Sequence, residues 1–212
     1  MAVAGSPDPW APTFPHDLVP RILELVIAAW AGLPKPSSQE LETRITRNLR
    51  NALRQARNAT RDLPCLIDRE VVEDDAASCA EKGRIDIRFI HGYDEAVYFA
   101  FECKRLNVTA STGGCSALAR EYVEEGMMRF VTGKYAGGLE HGGMIAFVMD
   151  GNSAVATARV DVEVKARSLP LRMATGSGLA VSALLPTTPA VRETRHPRRL
   201  PPLTLHHVFL TV

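Results

Sequence analysis

Residues 96–104, Ala-Val-Tyr-Phe-Ala-Phe-Glu-Cys-Lys, constrain this chain more than any other stretch. Aromatic and β-branched residues favour a strand, and side chains in a strand alternate between its faces. Phe99, Phe101 and Cys103 therefore share one face, and Ala100, Glu102 and Lys104 the other. A carboxylate and an ammonium are unusual on a strand otherwise so apolar. Upstream, residues 84–90 alternate too: Ile85, Ile87 and Phe89 fall on one face, and Arg84, Asp86 and Arg88 on the other. Residues 91–95 suit a hairpin connection. Pairing these two strands brings Asp86 and Glu102 to one side of a sheet.

The flanking segments supply helices. Residues 39–59 carry Leu41, Ile45, Leu49, Ala52 and Ala56 at helical spacing. Arg47, Arg50, Arg54, Arg57 and Arg61 form a second stripe, roughly opposite the first. Ser37 and Ser38 are possible caps, and Glu40 and Glu42 suit the first turn. Residues 65–72 read as a first strand, 117–135 as a second long helix and 143–149 as a buried strand. Residues 153–167 fit either helix or strand, whereas 179–185 and 205–212 read as strands separated by a connection rich in proline and arginine. The expected fold is α/β, a central mixed β-sheet flanked by helices. Residues 1–36 form a proline-rich arm and a short helix over 21–30. Residues 37–212 form one domain, with a core over about 39–151 and a C-terminal extension over 152–212.

Bulk properties narrow the class. The 212 residues suit one domain, or one domain with an appendage. Hydrophobic residues at 46% and charged residues at 23% are those of an ordinary globular protein. A net charge of +1 means that any basic surface is local. Cysteines 65, 79, 103 and 115 lack Cys-x-x-Cys spacing, so a reduced, cytoplasmic protein is expected, without a structural zinc site. No segment reads as a signal peptide or a membrane span, and no membrane partner is expected.

The polar residues on the two strands suit one chemistry. Phosphodiester hydrolysis needs a hard cation to polarise the phosphate and activate water. Mg²⁺ takes oxygen ligands, usually one or two carboxylates with water and phosphate. Asp86 and Glu102 supply carboxylates, and Lys104 supplies positive charge beside the nucleophile. The competing reading is a salt-bridge cluster on a half-exposed sheet.

Arg84-Ile85-Asp86-Ile87 followed by Glu102-Cys103-Lys104 resembles the PD-(D/E)xK nuclease superfamily, although Ile85 stands where that motif has proline. The resemblance covers about residues 39–151 and implies a restriction-endonuclease-like core ordered αβββαβ. It further implies Mg²⁺, with Mn²⁺ able to substitute, a DNA or RNA substrate, and work in restriction, phage defence or repair. An acidic ligand from the first core helix is common in the superfamily. Glu42 is the candidate, against a plain helix-dipole role, and Glu70 is a weaker substitute. The main-chain carbonyl of Cys103 is a further candidate ligand. A domain of this size suits a homodimer or a larger complex. The alternative is a catalytically inactive nucleic-acid-binding or scaffold subunit of the same fold. Arg47, Arg50, Arg54 and Arg57 are candidate phosphate contacts, against a solvated face. Arg120, Arg129 and Lys134 are candidates for orienting the scissile phosphate, although most of them read as solvated helix charges. His141, His206 and His207 read as structural or surface residues.

Overall fold

The β-rich middle of the chain and its last strands join in one sheet. The computed structural model describes residues 13–68, 71–74, 81–109, 112–136, 138–198 and 201–212. In chain order the elements are α1 (Leu18–Ala31), α2 (Glu42–Thr60), β1 (Cys65–Asp68), β2 (Val71–Asp74), β3 (Glu81–Ile85), β4 (Ile87–His91), β5 (Tyr98–Leu106), β6 (Val108–Thr109), β7 (Cys115–Ser116), α3 (residues 119–131), β8 (His141–Val148), α4 (Ser153–Ala166), β9 (Ala180–Val181), β10 (Val191–His196) and β11 (Leu203–Thr211). Seven strands form a mixed sheet ordered β1-β4-β5-β8-β11-β10-β9. β1, β4 and β5 run antiparallel, β5, β8 and β11 run parallel, and β10 and β9 return antiparallel. Two short hairpins, β2–β3 and β6–β7, stand apart from it. Among the described residues no helix is long and apolar enough to cross a membrane.

The sheet is covered on both faces, which is why its central strands are apolar on both sides. Phe99, Phe101, Cys103, Ile145 and Phe147 pack beneath α1 and α2. Ala100, Met144, Ala146, Val148 and Phe209 pack beneath α3 and α4. The expected mixed sheet flanked by helices is therefore present.

Several expected boundaries shift. Residues 1–12 of the proline-rich arm lie outside the described residues. α1 begins at Leu18, before the expected position 21, with Pro20 in its first turn, where a missing N–H has no helical partner to lose. Its Val19, Ile22, Leu23 and Val26 are buried in the core. Trp30 stacks on Phe147 and donates from Nε1 to the Thr211 carbonyl at 2.7 Å. α2 starts at Glu42, so Leu41 precedes the helix and is 65% exposed. Its buried stripe is Ile45, Thr46, Leu49, Arg50 and Leu53. Arg50 is only 6% exposed, because at about 100° per residue it flanks the apolar stripe, whereas Arg47 and Arg54 lie further round the helix and are exposed.

The strand expected over 84–90 is broken at Asp86. After Asp68 the chain leaves the main sheet, forms β2–β3, and re-enters it at Ile87. The bend turns alternation over: Ile85 packs on the α3 side, whereas Ile87 and Phe89 pack on the α1–α2 side. Beyond β8, residues 153–166 are helical. The strand expected over 179–185 shrinks to β9, and the connection expected between the last two strands contains β10. β11 pairs with both β8 and β10, so the tail is part of the central sheet.

Candidate active site

The bend at Asp86 leaves β5 with a free edge. β4 and β5 pair only from Ile90↔Tyr98 to Ile87↔Phe101. Beyond Phe101 the amides on that side of β5 need other acceptors, since a buried N–H without a partner is costly. Asp86 Oδ2 accepts from the Cys103 N–H at 2.7 Å, and Glu42 Oε2 accepts from the Arg105 N–H at 2.9 Å. The two carboxylates thus sit at successive positions along one strand edge, delivered by the bend and by the start of α2. β8 holds the other side of β5 through Leu106↔Val148.

Glu102 lies beside them, 1% exposed. Its Oε1 accepts from Lys104 Nζ and from Arg129 Nη1, both at 2.8 Å. Lys104 Nζ also stands 3.5 Å from Glu42 Oε1. Arg129 Nη1 donates in addition to the Tyr135 hydroxyl at 2.9 Å, and that hydroxyl donates to the Arg84 carbonyl at 2.5 Å. α3 carries Arg129 past a π-helical turn, Tyr122–Met127, a widening often found at functional sites. Gly126 in that turn lets α3 approach the sheet, because a Cβ there would lie 2.4 Å from Met144 Cε and 3.8 Å from Glu102 Cγ.

The electrostatics follow from this crowding. Burial, with the neighbouring Glu102 charge, pushes the Asp86 carboxyl up to about 7 against a weaker opposing effect of the Cys103 amide. Burial also raises Glu102, with Lys104 and Arg129 pulling the other way. Burial by itself disfavours the Lys104 ammonium, but Glu102 and Glu42 outweigh it and raise its pKa. Lys104 is therefore a held cation and not a neutral base.

These residues fit a hard divalent cation. Glu102 Oε2 is buried without a hydrogen-bond partner among the described residues, an acceptor open for a further ligand. The Glu102 charge adds to the cost of ionising Asp86, a cost that a divalent cation held by these carboxylates would relieve. Among the described residues no three His, Cys, Asp or Glu side chains form a ready-made metal cage. Mg²⁺ needs fewer, since water and phosphate complete its shell.

Asp86, Glu102, Lys104 and Glu42 are thus brought together, whereas Glu70 lies outside the described residues. Of the helix arginines, Arg47 and Arg54 are exposed, Arg57 is half-buried and Arg50 is buried. Arg57 and Arg61 line a cavity of about 530 Å³ near Pro64. That cavity is fifteen residues along α2 from Glu42, about 22 Å at 1.5 Å per residue. Arg120 pairs with Glu124 on the exposed side of α3, the solvated role expected of most charges there. Tyr135 is a site residue that the sequence conceals: it lies in the turn after α3, which ends at Val131 and not at the expected 135, and a single tyrosine there carries no periodic pattern that marks it. His206 and His207 face opposite sides of the sheet, against Phe99 and Tyr122 respectively. No family model, curated protein or solved structure matches the chain.

Proposed function

We propose that the chain is a Mg²⁺-dependent nuclease that hydrolyses DNA phosphodiester bonds, on a restriction-endonuclease-like core of the PD-(D/E)xK kind. The observation that carries this reading is the convergence of Asp86, Glu102, Lys104 and Glu42 on the free edge of β5, with one buried Glu102 oxygen left open. The element order supports it: α2, antiparallel β1, β4 and β5, then α3, then β8 parallel to β5.

Asp86 and Glu102 would hold the cation, with Glu42 at its border and Mn²⁺ able to substitute. Such a cation polarises the phosphate and lowers the pKa of its water. Lys104, kept charged between Glu102 and Glu42, offsets negative charge as it develops on the phosphoryl oxygens. Glu102 also fixes the position of Lys104, so this charge needs little reorganisation. Arg47, Arg54 and Arg57 would hold backbone phosphates without reading sequence; Arg50 is buried and drops out of that surface. Restriction, phage defence and repair all suit such an enzyme, acting as a homodimer or in a larger complex.

The test is cleavage of plasmid and single-stranded DNA with Mg²⁺ or Mn²⁺. Activity abolished by Asp86→Ala and by Lys104→Ala, with Mn²⁺ binding lost in Glu102→Ala, is the expected result. DNA binding without cleavage, unchanged by Asp86→Ala, would overturn it in favour of an inactive binding or scaffold subunit.

A further inference from the structure

On the α3 side of the carboxylates stands a second group of cations with unused donors. Arg129 directs only Nη1 inward, to Glu102 Oε1 and the Tyr135 hydroxyl. Its Nη2 and Nε have no hydrogen-bond partner among the described residues, and its side chain is 31% exposed. The guanidinium is therefore anchored along one edge and open along the other. Its plane is set by Tyr135, whose ring it approaches to 5.5 Å and whose hydroxyl is itself tied to β3 through the Arg84 carbonyl.

Lys134 completes the pair. Gly83 holds φ +146, and a Cβ there would lie 3.1 Å from Lys134 Nζ and 3.0 Å from the Tyr135 hydroxyl. The absence of a side chain at Gly83 thus leaves room for the Lys134 ammonium beside Tyr135. Lys134 has no ion-pair partner among the described residues, whereas Arg120 and Arg167 both pair with Glu124.

We propose that Arg129 and Lys134 form a phosphate clamp that takes the DNA backbone at the phosphate adjoining the scissile bond, with Tyr135 as the residue that positions Arg129. This rests on the nuclease reading of the same site. The two side chains are chemically suited to phosphate, since a planar guanidinium presents a fork to two of its oxygens and a lysine adds a point charge. Such a flank suits the site, because Lys104 offsets only part of the negative charge of Asp86, Glu102 and Glu42 towards an anionic substrate. Glu102 then links both halves of the site, holding Lys104 on one side and Arg129 on the other through a single oxygen.

The experiment measures binding of a fluorescent DNA duplex in EDTA over a salt series, then cleavage with Mg²⁺ or Mn²⁺. Wild type, Arg129→Ala, Arg129→Lys, Lys134→Ala and Tyr135→Phe are compared, with thermal melts to establish folding. Arg129→Ala is expected to weaken metal-free binding about tenfold and to lower the salt slope by about one, the loss of one phosphate contact. Lys134→Ala should give a similar change in slope with a smaller loss of affinity. Arg129→Lys should keep the slope and still lose turnover, because the fork is gone. Tyr135→Phe should keep the slope and lower kcat more than it raises KM. Folded Arg129→Ala and Lys134→Ala proteins that bind with wild-type affinity and slope overturn the clamp, and so does a wild type that does not bind DNA. If Arg129→Ala does not fold, Arg129→Lys with full turnover and Lys134→Ala with an unchanged slope overturn it. A wild type that binds through these residues and cleaves with neither metal leaves the clamp standing and removes the nuclease. Cleavage insensitive to both substitutions does the reverse.

Discussion

Asp86 and Glu42 stand in for a missing strand. They accept the Cys103 and Arg105 amides that a longer β4 would otherwise take, so each has a structural role besides any chemical one. The two roles separate at Glu42. Glu42→Gln keeps an oxygen for the Arg105 amide and removes the charge beside Lys104; its urea midpoint is expected to stay within error of wild type while cleavage falls. Glu42→Ala leaves that amide to solvent at a half-buried position and should cost about 1 kcal/mol. Equal loss of stability in both variants would show that the charge, and not the acceptor, holds this corner. Glu102 and Lys104 are legible in the sequence because strand alternation holds in β5: Phe99, Phe101 and Cys103 do face the opposite core. Asp86 is legible as a carboxylate and not as a bend. A polar residue between two isoleucines reads as one face of a continuous strand, and only the opposite burial of Ile85 and Ile87 reveals the break. Arg50 misleads for a related reason: a long arginine stem buries readily against an apolar neighbour, so its charge does not mark an outer face.

At the scale of elements, β10 and β11 are joined to α3 and to the chain after α4 by a buried polar network. One proton arrangement satisfies every partner. The Tyr122 hydroxyl donates to His207 Nδ1, His207 Nε2–H donates to Thr194 Oγ1, Thr194 donates to His196 Nε2, and His196 Nδ1–H donates to the Leu171 carbonyl. Both rings are then neutral. On the other face, His206 Nε2 meets His141 Nδ1 at 3.1 Å, and His206 Nδ1 is buried without a partner among the described residues. Burial lowers His196 to about 4 and His206 to about 3, and drives His207 well below its ordinary value. Each ring therefore binds a proton in the unfolded chain below about pH 6.5 while the folded chain stays neutral. Stability falls as pH drops through the window from 6.5 towards 4, by about 1.4 kcal/mol per pH unit for each such ring. Asp86, raised to about 7, acts in the opposite sense, so the measurement is a difference between proteins. Urea unfolding from pH 7 to 4.5 should show His206→Leu losing less stability per pH unit than wild type, by one ring's share. Parallel pH dependences would sink this account. β10 itself escapes sequence reading because Arg192, Glu193, Thr194, Arg195 and His196 are polar on both faces, and partners elsewhere in the fold decide which of them are buried.

At the scale of the molecule, the order α2, β1, β4, β5, α3, β8 is legible because each of these carries its own period, 2 for the strands and 3.6 for the helices, whereas the β2–β3 hairpin that divides the strand expected over 65–72 and the β6–β7 hairpin are not. The place of residues 152–212 is not, because nothing local states which strand will pair with which. Those residues read as an extension to a core ending near 151; instead β11 lies between β8 and β10 and pairs with β8 from Thr204↔His141 to Thr211↔Val148. This has a consequence for truncation. β8 is buried along almost its whole length, with side chains in both cores. Removing β11 would expose one complete backbone edge of β8 and uncover Met144, Ala146 and Val148, while loss of α4 would open the same face. α1 would also lose the Thr211 carbonyl that receives the Trp30 indole N–H. Parallel strands of this kind persist only when neighbours and layers cover them, so the order αβββαβ is not a sufficient folding unit here. A fragment of residues 1–151 is expected to aggregate, or to keep far-UV helical signal without near-UV dichroism or a cooperative urea transition. The full chain should unfold in one transition detected together by tryptophan fluorescence and far-UV dichroism. A soluble 1–151 fragment with a sharp transition and retained DNA binding would show that the last sixty-one residues decorate an autonomous core, and would return β11 to the status of an appendage.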